Sequence, residues 1–141
     1  MKARPPVVLD TSALVAWVFQ EKGADVVDEL LSEAATTAAN LTELTYVCLQ
    51  RGRTTPPQEL YQDLAALGLS VEPTSAEQAA RAGQLIHGSR QDRQHYGRRT
   101  LALGDALCIA LGEHLGRPLV TSDALWKDME DRFTVPVHLF R

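Results

Sequence analysis

Short apolar runs alternate with amphipathic helical patterns along the whole chain, and that alternation admits few folds. Val7-Val8-Leu9 is an apolar run of the kind found in strands buried on both faces. Asp10-Thr11-Ser12 follows with helix-start chemistry, and Ala13 to Val18 continues as helix. Val26, Val27, Leu30 and Leu31 form one stripe of a second helix, and the small residues Ala35 to Ala39 suit a second strand. Asn40 then opens a helix in which Leu41, Leu44, Val47 and Cys48 recur at helical spacing.

After Arg51-Gly52-Arg53, Pro56-Pro57 starts another helix with Leu60, Leu64 and Leu67 inward, and Leu69 to Pro73 reads as a third strand. Ser75-Ala76-Glu77-Gln78 has the form of a capping box for a helix reaching about Gly88. A polar, arginine-rich stretch, Ser89 to Arg99, reads as a loop before a strongly apolar helix, Leu103 to Leu115, closed by Gly116. Leu119-Val120 is a fourth strand, Ser122-Asp123 opens a short helix around Trp126, and Val135 to Phe140 is the last strand. Strands alternating with helices at this spacing predict an α/β fold, helices sandwiching a mostly parallel sheet. The 141 residues fit one domain spanning 1–141, without internal repeat or linker.

Composition excludes several classes. With 45% apolar and 23% charged residues the chain has an ordinary globular balance, which argues against disorder. No stretch approaches the roughly 18 apolar residues of a membrane span. Lys2 and Arg4 precede an apolar run as in a signal peptide, but Asp10 and the lack of a small-residue cleavage site spoil that reading. The expectation is a cytoplasmic protein, with Cys48 and Cys108 as reduced core thiols. Net charge is -4, so no global field advertises nucleic acid, yet eleven of the fourteen basic residues are arginine, the side chain that grips phosphate bidentately.

Four acids occupy a repeated position. Asp10 ends the first strand, Glu43 lies one turn into the helix after the second, Asp105 is in the first turn of the apolar helix, and Asp123 follows the fourth strand. In an open α/β sheet these positions share the edge where ligands bind. Each acid also has a plain reading. Asp10 and Asp123 suit N-caps, Glu43 stands three after Asn40 as in a capping box, and Asp105 complements a helix dipole. What separates the readings is context, because no lysine or arginine neighbours Asp10, Glu43 or Asp105 in sequence. Carboxylates gathered without basic partners repel and raise one another's pKa, and a divalent cation resolves that. All-oxygen ligation suits Mg²⁺ or Mn²⁺; His87, His95, His114 and His138 are scattered and form no zinc set.

A hard cation on such a cluster suits phosphodiester hydrolysis. Asp10, Asp105 and Asp123 would hold metal, while Glu43 would hold metal or orient a water. Thr11, Ser12 and Thr121 would bond those carboxylates as supports. Arg90, Arg93, Arg98 and Arg99, with His95 and Tyr96 for stacking, would receive an unpaired RNA strand. A solvated loop is the alternative reading of that run.

The blocks Val8-Leu9-Asp10-Thr11-Ser12-Ala13-Leu14, Leu41-Thr-Glu43, Leu103-Gly-Asp105-Ala106 and Leu119-Val-Thr-Ser-Asp123-x-x-Trp126 resemble, in order and spacing, those of PIN-domain ribonucleases. Among these the chain is most similar to the VapC-type toxins of bacterial toxin–antitoxin modules. The resemblance covers nearly the whole chain, and four blocks in register make it specific. It implies a compact α/β/α PIN fold, Mg²⁺- or Mn²⁺-dependent endoribonuclease activity, a homodimer, and inhibition by a small antitoxin (VapB-like) lying over the active-site groove. The family's acidic quartet carries over to Asp10, Glu43, Asp105 and Asp123, with Asp128 a competitor for the fourth place. The arginine-rich stretch is outside the family pattern.

Rival readings fare worse. Aspartyl-phosphate phosphatases need a second acid two residues after the first, where Ser12 stands. A response-receiver module needs an acidic pair near the first strand and a lysine after a late strand, and Lys127 falls inside the helix after Asp123. A catalytically silent PIN-like scaffold that binds metal or protein partners is the remaining alternative.

Overall fold

The structure, a computed structural model, describes residues 5–141. Lys2 and Arg4 lie outside the described residues.

Five short strands form one sheet: β1 (Val8–Leu9), β2 (Ala35–Thr37), β3 (Ser70–Glu72), β4 (Leu119–Thr121) and β5 (Val137–Leu139). Their order is β3-β2-β1-β4-β5, and every pairing is parallel. The sheet expected to be mostly parallel is therefore wholly so. Parallel strands need crossovers, and helices supply them: α1 (Thr11–Phe19), α2 (Ala24–Leu30), α3 (Ala38–Gln50), α4 (Pro57–Ala66), α5 (Ala76–Gln91), α6 (Leu103–Leu115) and α7 (Ala124–Asp128).

Alternation along the strands distributes the core between two layers. Val8 and Leu119 face one cluster, with Ile109, Leu111 and Trp126 of α6 and α7. Leu9 and Val120, the next residue of each strand, face the other, with Leu14, Leu44 and Leu64 of α1, α3 and α4. Side chains that alternate in this way call for apolar residues on both faces of the central strands, as at Val8 and Leu9 of β1 and Leu119 and Val120 of β4. Cys48 and Cys108 are free and buried in these layers.

The chain builds β1, β2 and β3 outward in one direction, then returns to place β4 on the other side of β1. The point where the order reverses thus lies between β1 and β4, and a crevice opens there at the carboxyl ends of the strands.

Two local expectations are corrected. Asn40 does not open α3; Thr37 is the N-cap, its hydroxyl accepting from the Asn40 N–H at 2.9 Å, and the helix begins at Ala38. Strand β2 consequently ends at Thr37, and the capping box between Asn40 and Glu43 does not form. The arginine-rich stretch is not all loop either. Helix α5 runs on to Gln91 and takes Ser89 and Arg90 with it. The buried Ser89 hydroxyl donates to the Ile86 carbonyl at 2.8 Å and accepts from the Leu101 N–H at 3.0 Å, which fastens the helix end to the segment entering α6.

Candidate active site

Asp10 leaves β1 into the crevice and is only 5% exposed. Its Oδ1 accepts from the Ala13 N–H at 3.1 Å and from the Ser12 hydroxyl at 2.7 Å; its Oδ2 accepts from the Thr121 hydroxyl at 2.7 Å. The first bond caps α1, so capping and a site role coexist in one side chain. The other two are made by residues that also hold the opposite turn. Ser12 Oγ accepts from the Ser122 N–H at 3.1 Å, and Thr121 Oγ1 accepts from the Asp123 N–H at 3.1 Å. The turns after β1 and β4 are stitched together across the switch point by two hydroxyls, with Asp10 between them.

Asp123 caps α7 through its Oδ1, which accepts from the Leu125 N–H at 2.9 Å. Asp105, in the first turn of α6, turns its Oδ2 back to the Ala102 N–H at 3.0 Å. Glu43 comes from α3 and lies against the start of α6. A Cβ placed on Gly104 would sit 1.8 Å from Glu43 Oε1, so a larger residue beside Asp105 would oblige the Glu43 carboxylate to turn away from this position.

Electrostatics join these four acids. Burial, the larger cause, and the charge of Asp123 push Asp10 up to about 6, against the hydrogen bonds from Ser12, Thr121 and Ala13. Asp105 is likewise pushed up to about 6, by burial first and then by the charges of Asp10, Asp123 and Glu43. Partial burial raises Glu43 as well. Against that burial, the Thr11 side chain favours the charged form of Glu43. Among the described residues, no ion pair involves Asp10, Glu43, Asp105 or Asp123.

A PIN domain model matches residues 7–131. The chain is a PIN domain of the VapC ribonuclease family. It is 33% identical over 117 residues to VapC ribonuclease Mb2780c of Mycobacterium bovis, covering 81% of this chain and 88% of that protein. Ribonuclease VapC42 of Mycobacterium tuberculosis matches at the same 33% over 117 residues. The fold is shared with VapBC2 of Rickettsia felis bound to a DNA fragment from its promoter (TM-score 0.65, 19% identity, 95% of this chain and 98% of that one). It is also shared with VapC20 of Mycobacterium tuberculosis, a sarcin-ricin loop cleaving toxin (TM-score 0.61, 16% identity, 80% of this chain and 86% of that one).

Whether this PIN domain suits a metal ion can be judged from its donor set. The set is all carboxylate and hydroxyl oxygen, without thiol or imidazole, which fits a hard divalent cation. The acids stand without a basic partner where burial and mutual repulsion push two of them up to about 6, and a bound cation reverses that penalty. The arrangement is nonetheless an open ring. Among the described residues no three acid, histidine or cysteine side chains stand close enough to share one ion as placed. Each of Asp10, Asp105 and Asp123 is turned onto a backbone N–H, so closing a coordination shell asks the side chains to swing from those caps.

The remaining predicted residues separate. Asp128 is half-exposed and paired with Arg99 at 2.5 Å, whereas the charge of Asp123 acts on Asp10 and Asp105. Arg90, Arg93, Arg98 and Arg99 are all exposed, but Arg99 is occupied by Asp128 and by the Tyr96 carbonyl at 2.9 Å. Tyr96 itself is 3% exposed, with the Arg132 guanidinium 5.3 Å above its ring. It is therefore a packing residue and not a platform for a base; His95 remains exposed beside it. The sequence reading missed Asn40 as a site element: a polar residue of the first helical turn, 1% exposed, its side chain reaches Thr11 and Gly104. The only signal for it was an amide three residues before Glu43, which has the same form as a cap.

Proposed function

We propose that this PIN domain acts as an endoribonuclease toxin through Asp10, Glu43, Asp105 and Asp123, with Mg²⁺ or Mn²⁺ as its cofactor. The observation that carries the proposal is the set of four acids at the β1/β4 switch point, electrostatically coupled and without a basic partner. A silent scaffold has no reason to gather four unpaired acids at one crevice and to bury Asp10, Glu43 and Asp105 where their charge is disfavoured. The four acids would hold the cation, which when bound would supply positive charge toward an attacking water and the phosphate oxygens. Thr121 and Ser12 fix the Asp10 oxygens, and Glu43, the most exposed of the acids, is placed to orient a water at the crevice mouth.

The RNA substrate would run from the crevice past Arg90, in the last turn of α5, and Arg93 and Arg98, which follow its end. Neutralising these three together should raise KM for RNA and flatten its salt dependence, with kcat little changed. We also propose a small VapB-like antitoxin as partner, a homodimer, and action in the cytoplasm, where RNA is met. Beside Glu43 on α3, Tyr46 and Leu49 are 62% and 54% exposed, and Leu41 and Tyr61 line a groove between α3 and α4. Exposed apolar surface of this kind beside a site favours a covering chain.

The direct test is cleavage of total cellular RNA by the purified chain, with Mg²⁺ or Mn²⁺ and with EDTA. Cleavage that needs the cation and disappears in Asp10→Asn is expected. Equal cleavage in EDTA, or by Asp10→Asn, overturns the proposal.

A further inference from the structure

The side chain of Asn40 touches the beginnings of three elements. Its Oδ1 accepts from the Thr37 hydroxyl at 2.6 Å, at the N-cap of α3. Its Nδ2 donates to the Thr11 hydroxyl at 3.0 Å, in the first turn of α1, and reaches the Gly104 carbonyl at 3.5 Å, in the first turn of α6. Those elements follow or carry Asp10, Glu43 and Asp105. Asn40 and Thr37 are each 1% exposed, so no water stands in for a lost partner without rearrangement.

The direction of the chain of bonds is fixed by chemistry. The Gly104 carbonyl can only accept, which sets the amide nitrogen of Asn40 toward Gly104 and Thr11. Thr11 Oγ1 therefore accepts from Asn40, which leaves its own hydrogen to turn toward the Glu43 carboxylate, whose charged form Thr11 favours and which lies against Gly104. Similarly, Thr37 Oγ1 accepts from the Asn40 N–H at 2.9 Å and gives its hydrogen to Asn40 Oδ1. Donation runs one way, from Thr37 through Asn40 to Thr11, with the Glu43 carboxylate the next acceptor in line.

We propose that Asn40 is a positioning residue of the active site, which acts through Thr11 to orient Glu43 while holding the start of α6 against it. The inference rests on the proposed nuclease reading and extends it to a residue that touches neither RNA nor metal. A leucine-sized side chain would fill the same volume but could not direct the Thr11 hydroxyl. A valine at 11 would remove the same link from its other end, at a partly exposed position that carries little of the core.

The experiment compares Asn40→Leu, Thr11→Val and the double variant, each checked for folding by melting temperature. Steady-state cleavage of one RNA is measured alongside Mn²⁺ binding, read from the electron paramagnetic resonance of free Mn²⁺. Each single change should lower kcat by roughly 10- to 100-fold with KM within about twofold, and weaken Mn²⁺ binding by about tenfold. The double variant should be no slower than the worse single, because both changes cut one link. Unchanged kcat in folded Thr11→Val overturns the inference, as does a double variant whose losses multiply. A lower melting temperature with kcat and Mn²⁺ binding intact reduces Asn40 to a structural role and overturns it too. If wild-type protein takes up Mn²⁺ but cuts no RNA, the nuclease reading falls while the Mn²⁺ comparison still decides Asn40. If it does neither, both fall.

Discussion

Helix α6 carries an acid near each end, and the molecule treats the two in opposite ways. At the C-terminal end Glu113 receives two guanidinium bonds from Arg81, at 2.8 and 3.0 Å, and accepts from the Thr134 N–H at 3.0 Å. At the N-terminal end Asp105 has one backbone N–H, no cation, and three other acids whose charges raise it. Both carboxylates are largely withdrawn from water, so the difference lies in what was brought to meet them. A buried acid given a guanidinium closes a structure. A buried acid given only other acids leaves a demand for positive charge that something from outside must meet.

The sharpest way to break this contrast is to neutralise each end in turn. Asp105→Asn should reduce RNA cleavage by about a thousandfold or more and leave thermal stability equal or higher, because it removes a disfavoured charge. Glu113→Gln should do the reverse, leaving kcat and KM unchanged while lowering stability by about 1–3 kcal/mol as the charged hydrogen bonds are lost. Melting curves and initial rates on both variants decide it. A Glu113→Gln protein that melts normally but fails to cleave would show that the two ends are not separate in role.

Acidity tests the same contrast without mutation. Asp10 and Asp105 titrate near 6 when folded, against 3.8 for an ordinary aspartate. Between these values the folded state binds more protons than the unfolded one, so stability falls as pH rises through this window and is regained on acidification. Metal-free protein should therefore gain several degrees of melting temperature from pH 7.5 to about 5, an effect that Asp10→Asn and Asp105→Asn should flatten. Mn²⁺ at pH 7.5 should recover the same gain. The paired acids act oppositely and lower down. Glu21, lowered by Arg51 and Arg141, and Glu130, lowered by the Val137 N–H and Lys127, lose their contribution only as pH falls below about 4.5. A melting temperature that declines steadily from pH 7.5 to 5 would show that the crevice acids are not strained by burial.

Residues whose environment is local were legible in the sequence, and those defined by tertiary contact were not. Helix α6 runs from Leu103 to Leu115 and is closed by Gly116 in the left-handed region, as its apolar pattern and terminal glycine predict. Ser75 caps α5 through the Gln78 N–H. The far end of α5 escaped because Ser89 continues the helix through a bond to Leu101, twelve residues away. Tyr96 looked like a stacking surface because nothing near it in sequence announces that Arg132 covers it. Strand alternation placed the acids along one edge of the sheet, since position within a βα unit fixes the edge. It could not say which way each carboxylate turns. That depends on Thr121, Ser12 and Ala102, two of which lie across the crevice or outside any acidic block.

The smallest expected effects lie at the pairs flanking the arginine segment, where solvent weakens the contrast seen along α6. Arg99 and Asp128 meet at 2.5 Å, but their side chains are 44% and 51% exposed, whereas Glu113 is only 9% exposed beside Arg81. A pair so wet contributes less than about 1 kcal/mol, so Asp128→Asn should leave the melting temperature almost unchanged. Its consequence falls on the substrate instead. Losing Asp128 frees Arg99 and removes a negative charge beside the proposed RNA path, so KM should fall by about twofold at low salt. Arg99→Gln should raise KM by a similar factor, and both changes should vanish near 0.5 M salt, where screening is within a few ångströms. If Asp128→Asn instead destabilises the protein while leaving KM alone, Arg99 belongs with Arg81 as a structural partner, and the RNA path stays with Arg90, Arg93 and Arg98 alone.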